Sequence, residues 1–298
     1  MQPVTYRIVH RTEYLYDSEV SSSYGELYLL PRDVPGQVCR STEVLIEPEP
    51  HDLRPRTDFF GNRVAHFAVL EPHTQLIVTA ETTVDVDRPA SVLLVADQPW
   101  EMARDRLHLD PSAGAFEARG FLLNSPKIAV SPAVRAYAAP SFPAGRPLVE
   151  AVGELTSRIH RDFAYKPGAT SVRTTLSELL EGRKGVCQDF THLAVGCLRA
   201  LGLAGRYVSG YLDTAPPPGK ARVVGADVSH AWPSVFVPDA GWVDFDPTND
   251  CFVSDRYITN AYGRDYGDVS PLKGVIYTES KRHELRVSVD VAPLERLN

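Results

Sequence analysis

Gly185-Val186-Cys187-Gln188-Asp189-Phe190-Thr191-His192-Leu193, continued by Ala194 to Leu203, is the stretch on which the fold turns. From Cys187 onward, Phe190, Leu193, Ala194, Cys197, Leu198 and Leu201 recur at steps of three and four, the period of a helix that buries one face. Gly202 supplies its stop, and Gly185 breaks the segment before it. Cys187 therefore falls in the first turn, where unpaired backbone N–H groups and the positive end of the helix dipole favour a thiolate. An unpaired cysteine is more often a small buried hydrophobe than a nucleophile, so position alone assigns no chemistry.

Two later segments change the reading. Ser229-His230-Ala231-Trp232 opens a strand-like run, and Gly241-Trp242-Val243-Asp244-Phe245-Asp246-Pro247-Thr248 follows after Pro238-Asp239-Ala240. Alternation puts His230, Trp232, Ser234 and Phe236 on one face of the first run and Trp242, Asp244 and Asp246 on one face of the second. With the turn centred on Pro238, His230 lies opposite Asp246. Pro233 lacks a ladder donor, so its strand is expected at an edge or bulged. A thiol at a helix start, an imidazole and a carboxylate orienting it are the nucleophile, base and orienter of covalent acyl transfer. Asp244, one same-face step from Asp246, is the alternative orienter, and His192 the alternative base.

In their order and context, GVCQDF, SHAW and GWVDFDPTN resemble the core of the transglutaminase-like superfamily. The resemblance implies a papain-like fold with Cys187 as nucleophile, His230 as base and Asp246 as the residue that orients it. It extends outward, because Tyr6–His10 through Asp58–Asn62 and the C-terminal Gly263–Val269 are similar to the bacterial two-domain branch. Chains of that branch commonly accompany ATP-grasp ligases, which implies a ligated, isopeptide-like peptide as substrate.

The expected fold class is α+β. An N-terminal antiparallel β-sandwich occupies residues 1–90, a connecting segment with short helices 91–146, and a transglutaminase-like core with C-terminal closing strands 147–298. Thr5–Tyr16, Gln37–Ile46, Arg63–Leu70 and Thr74–Val86 carry the Val, Thr, Ile and Tyr of the sandwich strands. Trp100–Asp105 reads as one or two helical turns, and Ser131-Pro132 as a capped helix start. Leu148, Val152, Leu155 and Ile159 share a helix face, Thr174 or Thr175 caps a helix with Glu178, and Glu284–Val291 alternates as a closing strand.

The chain's 298 residues permit two domains, and 43% hydrophobic with 23% charged residues is a globular composition. A net charge of −7 with scattered Lys and Arg argues against a nucleic-acid partner. No long apolar run and no apolar leader are visible, so no membrane partner and a cytoplasmic location are expected. The four cysteines show no CxxC spacing, and Cys187 and Cys197 on one helix lie roughly 15 Å apart, too far for a disulfide. Asp244, Asp246, Asn249 and Asp250 lack the spacing of a calcium loop, so no metal and no cofactor are expected.

The Cys187 N–H is a natural oxyanion donor, with Tyr165 or Gln188 as candidates for the second. Trp232, Tyr262, Arg264 and Tyr266 join these two as candidate substrate-binding residues. The expected activity is that of a cysteine peptidase or amidase acting on a peptide or protein. Two alternatives stand beside it: a protein-glutamine γ-glutamyltransferase, where an amine accepts the acyl group, and a non-catalytic peptide-binding module. The oligomeric state is not specified by these residues.

Overall fold

Val4 to Leu30 is one continuous strand, β1, in the computed structural model, which describes residues 3–88, 98–214, 229–279 and 281–294. Along its first half β1 pairs with β5 (His73–Val86) on one side and β14 (His283–Pro293) on the other. Along its second half it pairs with β4 (Arg63–Val69) and β13 (Leu272–Thr278). β2 (Gln37–Glu47) extends the sheet beyond β5, and β3 (Asp52–Thr57) beyond β4, with every pairing antiparallel. Because β1 serves both halves, the layers close on a shared core: Leu27, Phe67 and Val69 from one half, Ile46, Val78 and Ala80 from the other.

β13 and β14 thus complete the N-terminal sheet, whereas the alternation at Glu284–Val291 was expected to close the core. Alternation identifies a half-buried strand but carries no information about its partner. The first residues of the expected connecting segment, 91–97, lie outside the described residues.

The helices follow their sequence signals closely. α1 (Trp100–Leu109) runs past the expected turns to ten residues, and α2 (Ala113–Arg119) is capped by the Ser112 hydroxyl. α3 (Pro132–Ala138) begins under Ser131, whose hydroxyl accepts the Val134 N–H. α4 (Leu148–Asp162) buries Leu148, Val152, Leu155 and Ile159. α5 (Leu176–Gly182) starts with the Thr175–Glu178 capping box. α6 (Cys187–Ala200) is buried from Asp189 onward on all sides, because helices and sheet enclose it together. Gly196 admits Leu176, since a Cβ there would lie 2.8 Å from its side chain. Gly202, at φ +79, lets the chain leave the helix left-handed.

The core sheet has the order β11–β10–β9–β8–β12, built from β8 (Gly205–Leu212), β9 (Ser229–Val237), β10 (Gly241–Asp246), β11 (Cys251–Phe252) and β12 (Tyr257–Gly263). A parallel two-residue ladder between β6 (Ala164–Tyr165) and β7 (Lys184–Gly185) pins the loop around Tyr165 beside the start of α6.

β9 is central, contrary to the edge or bulge expected from Pro233, which pairs with Tyr207 without a register shift. Phe236 donates to Ala204 on the β8 side, so alternation turns the Pro233 nitrogen towards β10. There the ladder has already ended, its last pair being Ser234↔Asp244, so no ladder bond is missed.

β12 would be an exposed edge, and two amides from the N-terminal sheet cover it. Gln37 donates to the Thr259 carbonyl and accepts from the Thr259 N–H, both at 2.8 Å. Asn62 does the same at Tyr262, at 2.9 and 3.0 Å. These side chains act as short substitute strands, and they fix the sheet against the core.

Candidate active site

Cys187 is the first residue of α6 and is half-buried. Val186 before it is extended, and its N–H donates to the Asp189 carboxylate at 2.8 Å, which reaches back from the first turn. Asp189 also accepts the Thr170 hydroxyl at 2.6 Å. Gly185 makes this possible, because a Cβ there would sit 2.8 Å from Asp189 Oδ2. The result fixes the thiol at the dipole's positive end, with its own N–H among those that helix geometry leaves unpaired.

The β9–β10 turn is two residues out of register from the expectation: Ser234 faces Asp244 rather than Trp242. Side chains alternate with period two, so the shift keeps His230 and Asp246 on one face. His230 Nε2 donates to Asp246 Oδ2 at 2.7 Å, which leaves Nδ1 for the thiol. Asp246 is wholly buried and also accepts from the Thr248 N–H at 2.8 Å, the Asn249 side chain at 2.6 Å and the Tyr257 hydroxyl at 2.8 Å.

Burial raises the Asp246 carboxyl, but the bonds from His230, Asn249 and Tyr257 and the charge of His230 hold it below the usual carboxylate value. Burial acts on His230 the other way, and is outweighed by hydrogen bonds to Asp246 and Cys187 and by their charges, so the imidazole is raised to about 10. The upward direction favours the protonated ring, held between a carboxylate and a sulfur.

The two alternatives occupy other places. Asp244 accepts from Trp232 Nε1 at 3.2 Å and from Arg88 at 3.3 Å. His192 is buried, accepts the Tyr266 N–H on Nε2 at 3.1 Å, and is pushed down to about 4 chiefly by burial. It is a neutral structural acceptor that holds the segment carrying Tyr266.

Of the candidate substrate-binding residues, Tyr165 lies near the thiol, and Tyr266 packs against the apolar cluster that Cys187 also touches. Tyr165 is 52% exposed, packs on Phe190, and is influenced by Cys187. Tyr266 is half-buried in the same cluster as Cys187 and accepts the Ser270 hydroxyl. Gln188 follows Cys187 in the first turn and is half-buried. Trp232 is corrected: it is fully buried, flanked by His230 and Tyr257, and belongs to the core. Tyr262 stacks with Arg32 and Arg206, both at 3.8 Å, in a cleft shared with the N-terminal sheet. Arg264 pairs with Asp268 at 2.9 Å within its own turn.

Tyr257, first of the aromatic patch after Asp250, completes the shell of Asp246, a role not anticipated for it, and Tyr207, not anticipated at all, is buried beside Cys187 and His192. No spacing signal marks Tyr207, because tyrosine on a buried strand is ordinary core. Asn249, three residues after Asp246, was readable as a local side-chain partner. Among the described residues no group of three His, Cys, Asp or Glu is placed to hold a metal, and no helix is long and apolar enough to cross a membrane.

Residues 6–85 match the bacterial transglutaminase-like N-terminal region, and residues 136–247 match the transglutaminase-like superfamily core. A Mycobacterium tuberculosis protein is 48% identical over 297 residues, covering 97% of this chain and 93% of its own length. The chain belongs to the transglutaminase-like superfamily. A second relative, from Mycobacterium leprae, is 33% identical and covers 97% of this chain and 98% of its own. The fold is similar to that of a candidate cysteine protease from Cytophaga hutchinsonii, with a TM-score of 0.76, 19% identity, and coverage of 99% and 92% of the two chains. A shorter match, 35% identical over 92 residues, is to a protein-glutamine gamma-glutamyltransferase of Pseudomonas aeruginosa, of which it spans 14%.

Proposed function

We propose that this protein is a thiol-dependent acyl-transfer enzyme that hydrolyses peptide or isopeptide amide bonds. One observation carries the proposal: His230 bridges a helix-start cysteine and a fully buried carboxylate that accepts four further hydrogen bonds from Thr248, Asn249 (two) and Tyr257. A non-catalytic binding module gains nothing from an imidazole held between that carboxylate and a thiol at a helix start, which favours the catalytic reading.

In the proposed reaction the Cys187 thiolate attacks the amide carbonyl, and the Cys187 N–H donates to the developing oxyanion. His230 gives its Nδ1 proton to the leaving amine as the C–N bond breaks, which leaves an acyl thioester. Water then attacks, His230 takes its proton, and the carboxylic acid leaves as the thiolate re-forms. Asp246 keeps the imidazole oriented throughout and offsets its charge. Tyr165 and Tyr266 line the approach. A half-buried Cys187 beside an exposed Tyr165 leaves solvent access to the thiol, which supports water as the acceptor.

The second reading is amine transfer, favoured by the similarity over 92 residues to the Pseudomonas γ-glutamyltransferase. Incubation with a glutamine-containing peptide and a labelled primary amine separates the two. Hydrolysis releases ammonia or a cleaved amine without label on the peptide, and Cys187→Ala abolishes it. Label incorporation identifies the transferase, and neither product from a broad peptide panel leaves the binding module. Four free cysteines suit a reducing compartment, and we assign the protein to the cytoplasm.

A further inference from the structure

Between the N-terminal sheet and the core lies a cavity of about 770 Å³, inside the range of roughly 300–1,000 Å³ usual for small-molecule sites. Its floor is cationic. Arg206, on β8, is 7% exposed, and its guanidinium stacks 4.2 Å from the Trp242 ring and 3.8 Å from that of Tyr262. Arg32 lies 3.8 Å over the same tyrosine. Arg88 donates to Thr259 at 2.6 Å and meets Asp244 at 3.3 Å, while Arg206 stands 3.9 Å from that carboxylate. Two guanidinium groups, those of Arg88 and Arg206, therefore share one half-buried carboxylate, and burial drags Arg206 down to about 10 despite it.

The hydrogen bonding is as incomplete as the charge. Arg32 Nε, Arg88 Nε, Arg206 Nε, Ser234 Oγ and Asp244 Oδ1 are all buried with no hydrogen-bond partner among the described residues. Ser234 pairs with Arg206 on one side and Asp244 on the other in the sheet, so those three are neighbours on one face, and Arg88 reaches the same carboxylate. An unpaired buried polar atom is costly, and a concentration of them beside a cavity calls for an occupant. Donors predominate, with one carboxylate oxygen to be satisfied in return. The rim is acidic, with Asp33 and Asp87 exposed there.

We propose that this cavity binds a small molecule carrying an oxyanion, a carboxylate or a phosphate, seated against Arg88 and Arg206 and offering a donor to Asp244. The inference goes beyond the acyl-transfer reading. Its site shares a sheet face with His230 and Asp246, but Trp232 stands between, donating to Asp244 and packing on His230. Binding is measurable without turnover, so it stands or falls separately from that reading.

Isothermal titration of the full-length protein with glutamate, and separately with inorganic phosphate, at low ionic strength tests it. Saturable binding of either is expected, the responding probe identifying the source of the oxyanion. Arg88→Gln weakens it about tenfold or more while Cys187 alkylation stays unchanged. Phenylglyoxal modification followed by mass spectrometry maps the site without a variant: the bound probe shields Arg88 or Arg206. Saturation by neither probe, affinity unaltered in Arg88→Gln, or no shielding of either arginine overturns the proposal and leaves a water-filled ionic cluster.

Discussion

Asp246 and Asp244 stand two positions apart on one face of β10, and their neighbours give them different work. Asp246 receives His230, Tyr257, Asn249 and the Thr248 N–H, whereas Asp244 receives Trp232 and Arg88. Asp246→Asn removes the charge that helps raise His230 to about 10, so the alkaline limb of kcat/KM moves towards neutral pH. The rate falls roughly a hundredfold, since an amide holds the ring less well. Asp244→Asn leaves both limb and rate near wild type, and pH–rate profiles of the two variants check the assignment. At this scale the sequence was informative because Cys187, His230 and Asp246 each sit in a motif with context. Trp232 misled because alternation reports which way a side chain faces and not how deeply it is covered. Arg264 has its partner four residues away, a surface turn that composition alone does not distinguish from a cleft wall.

The start of α6 depends on a glycine that does no chemistry. A methyl group at Gly185 meets Asp189, whose carboxylate holds the Val186 N–H and thereby the turn that presents the thiol. Gly185→Ala therefore costs about 1–3 kcal/mol of stability and lowers kcat more than KM, which urea unfolding and steady-state kinetics together detect. The starts of α3, α5 and α6 were legible, since periodicity, the Ser131 cap and the Thr175–Glu178 box are local signals, whereas α1 runs past its expected turns and α2 was not read at all. Strand placement was not. Pro233 sits in a central strand because its nitrogen faces the end of a ladder, a fact set by where β10 stops. The two-residue register shift in the β9–β10 turn was equally hidden, and harmless, because an even shift preserves the face.

The molecule closes on itself through its ends, with β13 and β14 flanking β1, a pairing across some 250 residues that no local pattern encodes. Buried histidines tie the same assembly to pH. His10 on β1 pairs with the Tyr211 hydroxyl of the core at 3.0 Å, and burial pushes its pKa down to about 4, as it does that of His192. Both take up protons near 6.5 when unfolded but resist until about 4 when folded, so stability falls as pH drops through that window. Each costs on the order of 3 kcal/mol of stability across that window. His230 does not offset this: its raised pKa gives stability fully present below 6.5 and lost as pH climbs towards 10. The depressed Asp246 contributes stability throughout the neutral range and loses it only as pH falls below the ordinary carboxylate range. A His10→Gln/His192→Gln double variant, in which glutamine can still accept the Tyr266 N–H, shows a flatter melting temperature between pH 6.5 and 4 than wild type.

The rate at which iodoacetamide alkylates Cys187 at neutral pH, followed by mass spectrometry with Cys39 as internal reference, bears most directly on the claim that His230 activates the thiol. The account predicts that Cys187 outpaces Cys39 and that His230→Ala slows Cys187 about tenfold or more while Cys39 is unaffected. Equal rates at the two cysteines, unchanged by His230→Ala, would contradict it.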